Sequence, residues 1–303
     1  MYSTHEVSAG HLDRLAEMGA RVSVARDEAG AVQAAAEADV ILGHRYLRQV
    51  LPHAPRLRWV QSTAGGTDRL PVDALRSRGV ALTRLSGAAP AIARHAVTLA
   101  WALTRAVPTF VRQQDAGRWE PTAAWLPEPR RALVLGTGSI GSAIALRLRP
   151  DGVHVLGARR SAGPAPPGFD GVRAPGSWRD ELPQVDWLFL ALPYTDETEG
   201  TVGEDELRAL PPHALVVNVG RGETLQTEAL CRVLRSGHLG GAALDVVAPK
   251  PAGPRDPVWD TPRLLLTPHV ASHHAARGER VEAFCESQVR RFLAGEPLHD
   301  LVL

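Results

Sequence analysis

Short β-branched and leucine-rich runs alternate along this chain with longer stretches in which apolar residues recur every three or four positions. The runs "RVSVA" (21–25), "VILGH" (40–44), "LRWVQST" (57–63) and "VALTRL" (80–85) predict strands, and "AGHLDRLAEMG" predicts one of the intervening helices. Strands and helices in strict alternation predict an α/β fold with a parallel sheet. The opening "MYSTHEV" has little apolar content, so a first strand there is expected at an edge, short or absent. From Pro90 to about Trp119 the apolar spacing is helical, and Pro108 is expected to kink or split the helix. A second series follows at 131–136, 153–159, 187–193, 214–220, 241–247 and 263–269. Its runs are almost continuously apolar, as strands covered on both faces require. The Pro- and Gly-rich tract "SAGPAPPGFDGVRAPGS" (161–177) reads as an irregular surface connection.

Composition narrows the functional classes. A chain of 303 residues with 44% hydrophobic content can bury two α/β cores. With 34 basic and 33 acidic residues, its formal charge of +1 gives no overall field for a nucleic-acid backbone or an anionic membrane, which leaves small molecules as partners. Cys231 and Cys285 belong to no CxxC pair, which argues against a disulfide framework or structural zinc and fits a reducing cytoplasm. No metal site is expected. The N-terminus lacks a basic-then-apolar leader pattern, and the run "AVTLAWAL" is far shorter than the ~20 residues that cross a bilayer. A soluble, cytoplasmic protein is the expectation.

"RALVLGTGSIGSAIALRLR" places Gly136, Gly138 and Gly141 directly after a predicted strand and at the start of a helix. In that setting GxGxxG is a dinucleotide fingerprint, in which the first glycine turns, the second admits pyrophosphate and the third lets helix and strand pack closely. Ser139 and Ile140 open the helix whose positive end would face phosphate. An NAD site usually ends the next strand with Asp or Glu to bind the ribose hydroxyls, but this strand ends "GARRS". Arg159 takes the acidic position, with Arg160 and Ser161 beside it, and a guanidinium there suits a 2′-phosphate. NADP(H) is therefore favoured over NAD(H).

"LFLALPYTDETEGTVGEDEL", "VVNVGRGETLQTEAL", "GGAALDVV" and "LLLTPHVA" follow in order, and "RWVQSTAGGTDRL" precedes them. Together they closely resemble the D-isomer-specific 2-hydroxyacid dehydrogenase family, of the glyoxylate/hydroxypyruvate reductase kind, over nearly the whole chain. The resemblance implies hydride transfer between a nicotinamide and C2 of a small 2-oxo or 2-hydroxy acid. It implies two Rossmann-like domains with parallel sheets: a discontinuous substrate domain at 1–96 and 274–303, and an NADP-binding domain at 97–273. Arg221 resembles the family's motif arginine, and His269 its proton donor. Ala64, Gly65 and Gly66 resemble the loop whose N–H groups hold the substrate carboxylate. Asp245, Thr198, the turn with Leu192 and Pro193, and the segment Val219, Gly220 resemble further cofactor contacts. The segment with Trp101, Trp119 and Trp125 resembles a dimerisation arm, so a homodimer is expected.

Such relatives carry an acidic partner for the histidine five residues after the aspartate. Counting from Asp245 through "DVVAPKP" reaches Lys250, the only lysine in the chain. A carboxylate beside imidazole favours its protonated form, whereas an ammonium disfavours it. Three readings stay open: a reductase slowed at neutral pH, an enzyme in which Lys250 binds extra negative charge or donates the proton, or a catalytically impaired nucleotide-binding module that regulates a partner. Arg94, where relatives commonly carry Glu, is a second departure.

Overall fold

The computed structural model describes residues 2–3, 7–85, 87–121, 126–160, 163–273 and 277–303. Two compact units result, Met1–Ala88 with His274–Leu303, and Ala89–His273.

In the first unit, β1 (Tyr2–Ser3), α1 (Ala9–Glu17), β2 (Val24–Ala25), α2 (Glu28–Ala35), β3 (Val40–Gly43), α3 (Leu47–Val50), β4 (Trp59–Gln61), α4 (Val72–Ser77) and β5 (Ala81–Thr83) follow one another. The strands form one sheet in the order β2-β1-β3-β4-β5, with every strand pair parallel. The opening strand is short, as its polar composition suggests, but it is no edge: it lies between β2 and β3. Parallel backbone pairing on both sides holds it there. The chain returns to this unit through α10 (Arg277–Ala294). There His11 and Arg14 of α1 pair with Glu286, Trp59 stacks on Phe292 at 5.2 Å, and the Gln288 side chain bonds Gln61 and His299.

The second unit opens with α5 (Ala89–Thr104) and α6 (Val107–Asp115). The split falls at Ala106, in left-handed conformation, and Pro108 sits in the first turn of α6, where its missing N–H is harmless. The boundary at 96/97 read from the sequence lies inside α5. Ala93 and Ala96 are fully buried in the second unit's core, so the whole helix belongs there. Next come β6 (Arg131–Leu135), α7 (Ser139–Leu148), β7 (His154–Ala158), β8 (Gly171–Arg173), β9 (Trp187–Leu190), α8 (Glu204–Ala209), β10 (Leu215–Asn218), α9 (Thr227–Arg235), β11 (Gly241–Leu244) and β12 (Leu264–Leu266). Their order is β12-β11-β10-β9-β6-β7-β8, parallel throughout. The tract at 161–177 is not wholly irregular. It supplies β8, which pairs with β7 along the sheet edge through backbone bonds that its Pro and Gly neighbours do not advertise. Ser161 lies outside the described residues, as does Trp125.

Alternate side chains of each central strand enter different cores. Ala132, Val134, Trp187, Phe189, Leu215 and Val217 pack beneath α5 and α7. Leu133, Leu135, Leu188, Leu190 and Val216 pack beneath α8 and α9. Burial on both faces is why these runs carry no polar alternation. Trp101 packs edge-on against Trp187 at 5.0 Å and is thus engaged within this unit, while Trp119 is 99% exposed. Among the described residues no helix is long and apolar enough to cross a membrane.

Phe189 is fully buried in this layer, edge-on to Trp187. Phe189→Ala should destabilise the protein by about 3–5 kcal/mol, read from its urea midpoint.

Candidate active site

In a parallel sheet the C-terminal strand ends share one edge, and a ligand settles where the chain switches direction across the sheet. Here that point lies between β6 and β9, neighbours from separate halves of the series. Gly136 leaves β6 at φ 100°, and a Cβ on it would stand 2.7 Å from the Ala191 carbonyl oxygen. A Cβ on Gly141 would stand 1.9 Å from the Gly136 oxygen, so this glycine is what lets α7 seat against the strand. Gly138 differs: nothing lies within 4 Å of where its Cβ would be. That open space faces backbone at the N-cap of α7, with Ser139 and Ile140 in the first turn. A pyrophosphate fits such a cradle, because donors and the positive helix end are present and bulk is absent.

Beyond β7, Arg159 donates through Nη2 to the Pro164 carbonyl at 3.0 Å, while its Nε is buried without a hydrogen-bond partner among the described residues. Arg160 is exposed. Its charge helps hold the Glu197 carboxyl below the ordinary range, after the larger contributions of the Thr195 hydroxyl and the Glu197 backbone N–H. Thr198 closes the loop after β9, donating to the Pro193 carbonyl at 2.7 Å and accepting from the Thr195 N–H at 2.8 Å. Leu192 abuts the next loop, where a Cβ on Gly220 would lie 2.7 Å from the Leu192 oxygen. Val219 and Gly220 are buried there.

Arg221 follows directly. Its Nη1 donates to the Gly220 carbonyl at 2.8 Å, and its own carbonyl accepts from the Asn218 side chain at 2.9 Å and the Thr224 hydroxyl at 2.7 Å. Asn218 also accepts from the Gly220 N–H at 3.0 Å. The backbone beneath the guanidinium is thereby pinned on both sides. A Cβ on Gly222 would meet the Val247 carbonyl carbon at 2.4 Å, so the loops after β10 and β11 touch backbone to backbone. Lys250 lies in the latter loop, exposed and without an ion pair or hydrogen bond among the described residues.

Asp245, at the end of β11, is 2% exposed. Its Oδ1 accepts from the Thr267 hydroxyl at 2.6 Å and the Val270 N–H at 2.9 Å, and its Oδ2 from the Ala271 N–H at 3.0 Å. His95 Nε2 lies 3.0 Å from Thr267 Oγ1 and 3.5 Å from Asp245 Oδ1. Burial pushes this carboxyl up, but the hydrogen bonds from His95, Thr267, Val270 and Ala271 outweigh it and bring it down to about 2. The turn that wraps the carboxylate carries His269, exposed, with its N–H donating to the Asp245 and Thr267 carbonyls at 2.9 Å each.

Of the residues singled out from the sequence, those of the glycine loop, Arg159, Thr198, Arg221, Asp245 and His269 all stand on loops at the C-terminal edge of the second unit's sheet. Ala64, Gly65 and Gly66 belong to the first unit, in the loop after β4. Ala64 is tied there by the Ser62 hydroxyl at 3.1 Å and the Leu85 N–H at 3.1 Å, and Thr63 meets His44 at 3.3 Å. Three residues with structural roles at the site escaped the sequence reading: Asn218, Thr267 and His95. A signal existed for the first, since an amide inside an otherwise apolar buried strand demands partners. Among the described residues no cluster of His, Cys, Asp and Glu assembles that could hold a metal ion.

Comparison with known proteins agrees with this geometry. A family model described as D-isomer specific 2-hydroxyacid dehydrogenase, NAD binding domain, matches residues 97–271. A glyoxylate reductase of Korarchaeum cryptofilum is 31% identical over 267 residues, covering 84% of this chain and 78% of the relative. A D-3-phosphoglycerate dehydrogenase of Mycobacterium leprae is 30% identical over 84% of this chain, which spans only 48% of that longer protein. Among solved structures, an NADPH-dependent glyoxylate/hydroxypyruvate reductase from Sinorhizobium meliloti superposes with a TM-score of 0.85 at 25% identity, covering 99% of this chain and 96% of the other.

The glycine geometry separates two variants. Gly138→Ala should fold with an unchanged melting temperature yet bind dinucleotide at least about tenfold more weakly, because its methyl occupies only the cradle. Gly141→Ala should lower the melting temperature itself, since helix and strand must part. Calorimetry and nucleotide titration distinguish them.

For Asp245 the ordinary value of 3.8 falls to about 2 on folding. A depressed carboxyl gives stability that is complete above the unfolded value and is lost as pH falls through the folded one. Denaturant midpoints between pH 5 and pH 2 should therefore show an acid-sensitive component on the order of 2 kcal/mol that Asp245→Asn lacks.

Proposed function

Since the chain belongs to the D-isomer-specific 2-hydroxyacid dehydrogenase family, we propose that it reduces a small 2-oxo acid to the D-2-hydroxy acid with NADPH. The observation that carries the cofactor choice is the end of β7, where Arg159 stands in place of an acidic residue and has an unsatisfied buried Nε. A guanidinium seated against the 163–164 turn is held for a phosphate, whereas a free ribose diol would find no carboxylate at that position. The solved NADPH-dependent relative supports the same choice.

The cofactor, when bound, supplies the hydride. Gly136, Gly138, Ser139, Ile140 and Gly141 would hold its pyrophosphate, Arg159 and Arg160 its 2′-phosphate, and Thr198, the Leu192–Pro193 turn, Val219, Gly220 and Asp245 the remainder. Arg221, on a backbone fixed by Asn218 and Thr224, presents a planar fork to the acid's carboxylate and polarises the adjacent ketone. The N–H groups of Gly65 and Gly66 make no hydrogen bond to any described residue and are therefore available to a carboxylate. His269 delivers the proton to the alkoxide oxygen as it forms. On the family resemblance Lys250 takes the place of an acid, and a glutamate at that position would favour a charged imidazole.

Loss of absorbance from NADPH with glyoxylate, hydroxypyruvate or pyruvate, followed from mildly acidic to neutral pH, tests this reading. Arg221→Gln and His269→Asn should each lower kcat/KM by at least about a hundredfold. Arg159→Ala should raise the Kd for NADPH about tenfold or more and leave that for NADH nearly unchanged. Lys250→Glu should raise the rate at neutral pH; a collapse would instead mark Lys250 as a substrate ligand. Tight NADPH binding without turnover on any 2-oxo acid would overturn the reductase assignment.

A further inference from the structure

Among the polar groups of the second unit, one lies off the strand-end loops and still reaches the site. His95 is on α5, whose inward face is otherwise built from small and aliphatic residues: Ala93, Ala96, Leu99 and Ala100 are all buried. Its imidazole is 24% exposed, and its Nε2 is directed at the Thr267 hydroxyl at 3.0 Å. Thr267 has a single hydroxyl hydrogen, and the 2.6 Å contact gives it to the ionised Asp245 oxygen. The Thr267 oxygen must then accept, so His95 carries its hydrogen on Nε2. Hydrogen bonds therefore run one way, from His95 to Thr267 to Asp245, and the same carboxylate receives the Val270 and Ala271 N–H groups. Protonation of His95 at Nδ1 leaves the Nε2 donor in place, so the chain of bonds holds in either charge state.

We propose that His95 is a positioning residue: acting through the Thr267 hydroxyl, it holds the Asp245 carboxylate and with it the turn that presents His269, an inference that rests on the reading of His269 as proton donor. Two features support a role beyond packing. The relay joins the first helix of the unit to its last loop, between segments that share no backbone ladder. It also sets the direction of the carboxylate: Oδ1 is engaged by Thr267 and Val270, and Oδ2 by Ala271, which orients both oxygens toward the turn. An imidazole that served only to fill space would not need to face a hydroxyl already committed as a donor.

The test uses the whole chain with NADPH and glyoxylate, and two readouts. Hydrogen exchange of the segment that contains the Val270 and Ala271 amides reports the turn directly, and steady-state kinetics report its consequence. His95→Leu and Thr267→Val should each speed that exchange about tenfold and lower kcat about tenfold, with KM for glyoxylate changed less than about twofold. His95→Gln, which restores a donor at similar reach, and Thr267→Ser, which restores the hydroxyl, should recover most of both. Joined in one chain, His95→Leu and Thr267→Val should do no more harm than either alone, because each breaks the same relay. Should His95→Leu fail to fold, the Thr267→Val and Thr267→Ser pair carries the same comparison. Unchanged exchange and kcat in His95→Leu, full additivity in the double variant, or no recovery with His95→Gln would each overturn the proposal. Faster exchange in a protein whose rate is unaffected would leave the relay standing and remove His269 as proton donor, so failure of the function reading shows itself separately.

Discussion

The second unit depends on how closely its strand-end loops can approach one another. Backbone from the loop after β6 lies against the loop after β9, which lies against the loop after β10, which lies against the loop after β11. At each meeting a glycine stands where a Cβ would be under 3 Å from another residue's backbone: Gly136 against Ala191, Gly220 against Leu192, and Gly222 against Val247. Contacts of this kind leave almost no slack, because main chain cannot rotate away as a side chain can. Functional groups carried on such loops are placed by the sheet rather than by their own flexibility.

Electrostatics then works on that platform through one buried carboxylate. Asp245 is removed from water, which penalises its charge, yet three donors on the last loop, with His95 of α5 behind the Thr267 hydroxyl, outweigh the penalty. The result is an anion whose solvation shell is the protein itself. Loop 267–271 folds around it, so a charge of fixed position organises the backbone on which His269 stands. The chain belongs to the D-isomer-specific 2-hydroxyacid dehydrogenase family, and the reductase proposed for it would use the C-terminal edge of the seven-stranded sheet.

Much of the α/β character was legible in the sequence because strands covered on both faces announce themselves as unbroken apolar runs, as at Leu133 to Leu135 and Trp187 to Leu190. What the pattern concealed is held by backbone pairing. β1 sits inside its sheet on two residues, and β8 hides in a Pro- and Gly-rich tract, each held by ladder bonds that leave no mark on side-chain periodicity. The glycine loop was readable since its spacing is a steric requirement. His95 was not, because a histidine in a helical stretch looks alike whether it faces solvent or a threonine 172 positions away.

His269 occupies the left-handed region of backbone space at φ 57°. Glycine adopts that conformation freely and Asn or Asp tolerate it, but β-branched residues are strained by it. Geometry thus narrows what this position tolerates before chemistry is considered: glycine, asparagine or aspartate would keep the loop's course, whereas a valine or isoleucine would force it to be rebuilt.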